Sequence, residues 1–146
     1  TINNSIIKGN VQALMVRAGT VVVKNSQLIM TANGSADPDE RMSGSTAWGT
    51  GNAVPQRALI VGDWTNGAYP YTASCTLQNT EIKNMRTDWT GGLIVLAQNG
   101  ERETILNYDS NCNIKDSDYQ ICNYAVGSLK KGQITVNGKV VQQREK

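Results

Sequence analysis

The 146-residue sequence contains no histidine and no phenylalanine. Without histidine, Ser-His-Asp and Cys-His nucleophile systems, histidine general bases and histidine-ligated zinc are all excluded. Aromatic anchoring falls to Trp48, Trp64, Trp89 and five tyrosines. There is no apolar run of the ~20 residues that a membrane-spanning helix needs, and no signal peptide. Neither a phosphate-binding glycine loop nor a dinucleotide fingerprint occurs. Only three prolines and three cysteines are present. An odd cysteine count cannot form a fully paired framework.

What is present fits one domain with a real core. The net charge of +2 is unevenly spread: residues 1–25 carry +3, residues 26–128 carry −5 and residues 129–146 carry +4. Such a distribution suits head-to-tail packing between subunits, or a basic end that meets a polyanion; an ordinary solvated surface accounts for it equally well. Cys112 and Cys122 bracket a polar loop that a disulfide would close, worth on the order of 3 kcal/mol. Cys75–Cys122 pairing, or three reduced thiols, are the alternatives. A disulfide would imply a periplasmic or extracellular setting.

Residues 5–24 read as the one helix. Ile7, Val11, Leu14, Ala18 and Val21 recur at alternating spacings of four and three, which places them on one helical face. Asn3, Asn4 or Ser5 could cap its start. Gly9, Gly19 and the run Val21-Val22-Val23 weaken it, so it would survive by packing rather than propensity. Beyond residue 27 the pattern changes to short apolar runs: Leu28–Ala32, Ala58–Val61, Tyr71–Leu77, Leu93–Ala97, Thr104–Tyr108, Tyr119–Val126, Ile134–Val136 and Lys139–Gln142. Asn99-Gly100 and Asn137-Gly138 read as type I′ hairpin turns. The stretch from Asn33 to Gln56 reads as an insertion loop. No internal repeat stands out. The expected fold is therefore α+β: an N-terminal helix packed on antiparallel sheets, in one domain of 146 residues.

Three clusters carry candidate chemistry. From Asp109 the chain places oxygen ligands at Asp109, Asn111 and Asn113 as a calcium loop would. Ile114 stands where glycine is required and Gln120 where glutamate is required, which favours a polar loop. Asp37, Asp39 and Glu40 lie together in a turn-rich segment and have no second cluster to work with. The closing hairpin and tail carry Lys130, Lys131, Lys139, Arg144 and Lys146. Five cations there could neutralise phosphates in a salt-dependent, sequence-independent way, although no aromatic is present to stack bases. No catalytic residue, metal site or cofactor is implied.

Three features then occur in order: the helix face leading into Val21-Val22-Val23-Lys24-Asn25-Ser26-Gln27-Leu28; Asp88-Trp89-Thr90-Gly91-Gly92-Leu93-Ile94-Val95-Leu96; and Tyr119-Gln120-Ile121-Cys122 running on to Gln133 through Val140. The series resembles the minor type IV pilins and type II secretion pseudopilins of the FimT/FimU/GspH group, over roughly residues 8 to 141. The resemblance implies a pilin-like fold in which residues 1–25 are the lower half of a long helix and residues 26–146 the β-rich head. Ile7, Val11, Leu14 and Ala18 would hold that helix to the sheet. It implies a non-catalytic structural subunit, monomeric as a soluble head, that primes or caps a type IV pilus. Its partners would be other minor and major pilins. An apolar helix upstream of Thr1 would anchor it in the bacterial inner membrane, with the head in the periplasm and at the pilus tip. Alternatives within the resemblance are a DNA-binding minor pilin of natural transformation and a pseudopilin of a secretion system. For DNA, Gly138-Lys139-Val140-Val141 stands where some members carry Gly-Arg-x-Arg; lysine keeps charge but loses bidentate phosphate recognition.

Overall fold

A computed structural model describes residues 1–9, 12–31, 57–63, 71–85, 93–98, 102–121 and 130–146. The expected helix does not form. Residues 5–24 instead contribute to three short strands in three different sheets, and the chain is almost entirely β with mostly parallel pairing. The α+β pilin-like fold with antiparallel sheets is thereby overturned. The residues that made the helix doubtful decide the outcome. Gly19 takes φ of +81° at a corner, and Val21-Val22-Val23 lies within a strand, where β-branched side chains fit a pleated surface. The apparent helical spacing is the spacing between inward-facing positions on successive strands. Ile7 and Leu14 both pack on the core, but from different sheets. Ala18 lies in a bend, and Val11 lies outside the described residues.

The chain winds in coils, each contributing one strand to each of three sheets. The first coil is β1 (Ile2–Asn3), β2 (Ile6–Gly9) and β3 (Leu14–Val16). The second is β4 (Gly19–Lys24), β5 (Gln27–Met30) and β6 (Leu59–Asp63). The third is β7 (Ala73–Gln78), β8 (Glu81–Asn84) and β9 (Ile94–Gln98). The fourth keeps only two strands, β10 (Glu103–Tyr108) and β11 (Tyr119–Ile121), with a 3-10 turn at Asp116–Asp118 between them. The hairpin of β12 (Gln133–Val136) and β13 (Lys139–Gln142) ends the stack. Sheet A has the order β1-β4-β7-β10-β12-β13, sheet B β2-β5-β8 and sheet C β11-β9-β6-β3. Every pairing is parallel except β12 with β13. This is a parallel β-solenoid, in which each coil buries its apolar edge only against its neighbours.

Register stacks the core into columns. Ile2, Val23, Leu77 and Tyr108 lie one above another in sheet A, as do Val21, Cys75, Leu106 and Val136. Ile7, Leu28 and Ile82 form the column of sheet B, and Leu14, Leu59, Ile94 and Tyr119 one of sheet C. All belong to one apolar cluster. Ile60, Val95 and Ala97, with Met15, form a second cluster on the other face of sheet C, so that sheet is buried on both faces. At Gly62 the backbone takes φ of +103°, and an added Cβ would run into the Ala97 carbonyl and stand 2.6 Å from Thr104 Oγ1.

Candidate functional site

The turn from sheet A into sheet B repeats one short device. Asn4, Asn25 and Asn79 take φ of +50°, +49° and +44°. Asparagine tolerates this left-handed conformation better than most residues, which is why it occupies the corner. A hydroxyl residue follows each time: Ser5, Ser26 and Thr80. Each hydroxyl donates to the carbonyl two residues back, at 2.8, 2.6 and 2.9 Å. Side-chain amides are joined between coils, through the corner residues Asn25 and Asn79 and through Asn3 beside the first corner. Asn25 Nδ2 donates to Asn3 Oδ1 at 3.2 Å, and Asn79 Nδ2 donates to Asn25 Oδ1 at 2.9 Å.

In the fourth coil Asp109 takes the corner. Its two carboxylate oxygens accept the Asn79 N–H at 3.1 Å each. That backbone bond foremost, with support from the Cys112 thiol and the Asn111 N–H, holds the Asp109 carboxyl below the usual carboxylate range. The calcium-loop spacing therefore has another use: Asp109 ends a ladder. Asn113 lies over β8, where its amide accepts from Ile82 N at 2.8 Å and donates to Ile82 O at 3.0 Å, closing the edge of sheet B as a strand would. Among the described residues no three His, Cys, Asp or Glu side chains are placed to hold a metal ion.

A groove of about 500 Å³ runs along this corner across three coils. Its floor is Asn4, Asn25 and Asn79, with Ser5 and Ser26 beside them and Asn111 at one end. One wall is the outward column of sheet B, formed by Ile6, Gln27 and Glu81. Gln27 Nε2 donates to Glu81 Oε2 at 2.8 Å, and Lys83 Nζ lies 3.1 Å from Glu81 Oε1. Of these residues the sequence marks only Asn111, as an oxygen ligand of a calcium loop, and Asn4 and Ser5, as helix caps; it does not mark them as one site. The signal was there, as Asn-Ser, Asn-Ser, Asn-Thr and Asp-Ser, each following a strand-like run. The gaps between corners, 21, 54 and 30 residues, hid the period.

The sequence-derived candidates fall elsewhere. Lys130, Lys131, Lys139, Arg144 and Lys146 are all exposed around the closing hairpin. Asn137 and Gly138 form its turn with φ of +46° and +77°, the two positive values that a type I′ turn requires. The structure partly neutralises the cations: Lys131 Nζ lies 4.0 Å from Glu145 Oε1, and Arg144 Nη2 lies 3.7 Å from Glu103 Oε1. Cys112 is a free thiol donating to Asp109 Oδ1 at 3.4 Å, so the expected Cys112–Cys122 disulfide is not formed. Cys75 is also free, and burial among apolar neighbours pushes its thiol up to about 12. Cys122, Trp89, Gly91, Gly92, Asn99-Gly100 and the segment Asp37 to Glu40 lie outside the described residues. No helix among the described residues is long and apolar enough to cross a membrane. Comparison with protein-family models, curated proteins and solved structures gave no significant match to this chain.

Proposed function

We propose that the protein is a non-catalytic structural subunit, a rigid β-solenoid whose coil of β1, β2 and β3 docks a further β-element. With residues 5–24 divided among three sheets, the first element of the pilin resemblance is gone, and the assembly role rests on other ground. The observation that carries it is the difference between the first and the last coil described. At one end, β13 folds back on β12, Gln142 Nε2 donates to Gly132 O at 2.7 Å, and Lys131 and Glu145 exchange two hydrogen bonds of 3.0 Å. At the other end β1, β2 and β3 are each the last strand of a sheet among the described residues. Ile2, Ile7 and Leu14 there are only half-buried, and Ile6 is 66% exposed. Unpaired strand edges beside apolar side chains are a template for pairing with another chain.

Charge sets the partner. Lys8, Arg17 and Lys24 belong to the first two coils and no acid lies before residue 37, while the hairpin end is basic too. Both end-to-end arrangements of the chain with itself bring like charges together, so an acidic partner suits the first coil better than a second copy does. Sedimentation velocity of the isolated chain tests this reading. At low salt the chain is expected to be monomeric. Near 1 M salt, where the screening length falls to ~3 Å, the apolar end is expected to self-associate. Ile6→Lys is expected to abolish that association. A chain that stays monomeric under both conditions, or associates equally well as Ile6→Lys, removes the support for the proposal.

A further inference from the structure

We propose that the corner groove is a binding site for a neutral, hydroxyl-rich polymer, an extended oligosaccharide laid parallel to the solenoid axis. This inference shares Ile6 with the first-coil contact and is tested at other residues. It begins with hydrogen-bond capacity. A carboxamide offers two N–H donors and two acceptor lone pairs. The inter-coil ladder uses one donor and one lone pair of Asn25, leaving one of each for a ligand. Asn79 spends one amide donor on Asn25. The ladder thus holds its amides in fixed orientations while leaving part of each unused, and preorganised polar groups lose little entropy on binding.

The array also repeats. Adjacent coils are separated by the inter-strand distance of about 4.8 Å, so equivalent donors and acceptors recur at about the length of one sugar ring in an extended glycan. Ile6 stands 66% exposed beside Asn4 and supplies an apolar surface for the C–H face of a ring.

Charge argues against the polymers that the basic tail would suggest. No cation lines the groove, and its single charged residue is the carboxylate of Glu81. Glu81 is already paired with Lys83 at 3.1 Å, so the lining residues offer a polyanion no cation of their own, whereas hydroxyls can donate to the remaining lone pairs of that carboxylate. Extended peptide is a poorer fit, because the corner backbone already bonds between coils through Asn4 N to Lys24 O and Asn25 N to Gln78 O. β-Strand addition needs unpaired backbone groups.

The experiment is a titration of the ¹⁵N-labelled full chain, followed by amide resonances, with cellohexaose, xylohexaose, mannohexaose, maltohexaose and laminarihexaose. Polygalacturonate and duplex DNA serve as anionic comparators. At least one neutral hexasaccharide is expected to bind saturably and to move the amides of Ser26, Gln27 and Asn79. Gln27→Ala and Asn111→Ala, outside the asparagine ladder, are each expected to weaken binding about fivefold, the loss of one hydrogen bond. Their far-UV circular dichroism should match the parent chain. The proposal is overturned if none of the five sugars moves these resonances, or if binding survives both substitutions undiminished. It is equally overturned if only the polyanions bind.

Discussion

Replacing Asn25 separates the two jobs of the corner. Asn25 holds φ of +49° and joins Asn3 to Asn79 through its side-chain amide. Alanine in the left-handed region costs roughly 1–2 kcal/mol. Each ladder bond is exposed to solvent, so its net value sits toward the low end of ~0.5–1.5 kcal/mol. Asn25→Ala is therefore expected to lose about 2–3 kcal/mol. Asn25→Gly keeps the backbone conformation and loses the same two bonds, with a modest added cost from a freer unfolded chain, so about 1–2 kcal/mol is expected. Against a typical total of ~5–15 kcal/mol, both losses are measurable. Urea denaturation followed by far-UV circular dichroism gives the values, with equal m-values as the check that one transition is being compared. An Asn25→Gly, Asn79→Gly double-mutant cycle adds the coupling between coils, expected to be at least ~0.5 kcal/mol since the two amides touch. If Asn25→Ala and Asn25→Gly both stay within ~0.5 kcal/mol of the parent, or glycine costs more than alanine, the ladder does not stabilise the stack as argued.

Two further outcomes follow from the same geometry. Gly62→Ala places a Cβ against the Ala97 carbonyl and 2.6 Å from Thr104 Oγ1 at φ of +103°, while Gly19→Ala meets nothing within 4 Å at φ of +81°. Gly62→Ala is expected to lose more than ~3 kcal/mol or fail to fold, and Gly19→Ala about 1 kcal/mol; similar thermal midpoints for the two would contradict the packing described at Gly62. Asp109 has a carboxyl lowered in the folded chain, so its contribution is present above the unfolded value of ~3.9 and is lost as pH falls through the lower folded value. Asp109→Asn should therefore flatten the fall in melting temperature below about pH 4, and an unchanged acid slope would show that the Asn79 bond carries no linkage.

Strand positions were largely legible in the sequence, whereas strand direction was not. The eight apolar runs after residue 27 all overlap strands, from Leu28 in β5 to Lys139–Gln142 in β13, because alternation and β-branching report a local preference; of Tyr119–Val126 only Tyr119–Ile121 lies among the described residues, and β8, with its single buried Ile82, gave no such run. The Asn137-Gly138 hairpin was equally legible, since its two positive φ values depend on those two residues alone. Direction is different. Whether Leu28 pairs with a strand running its own way depends on the distant partners Ile7 and Ile82. The first 24 residues misled because Ile7 and Leu14, seven apart, fit two turns of a helix as well as two strands separated by a corner. The groove was not legible either, because its floor is built from Asn4, Asn25 and Asn79, which nothing in local sequence brings together.

Composition and local pattern determined that the chain has no histidine chemistry, that its later segments are strands, and that the closing hairpin turns at Asn137-Gly138. Tertiary structure alone decided that the strands run parallel in coils, that Asp109 ends an amide ladder instead of opening an ion site, and that Cys112 stays a thiol. The physical reason is the range of the forces involved. Turn and strand preferences act within a few residues, whereas a coil becomes stable only when the next one covers its apolar column and satisfies its corner amides.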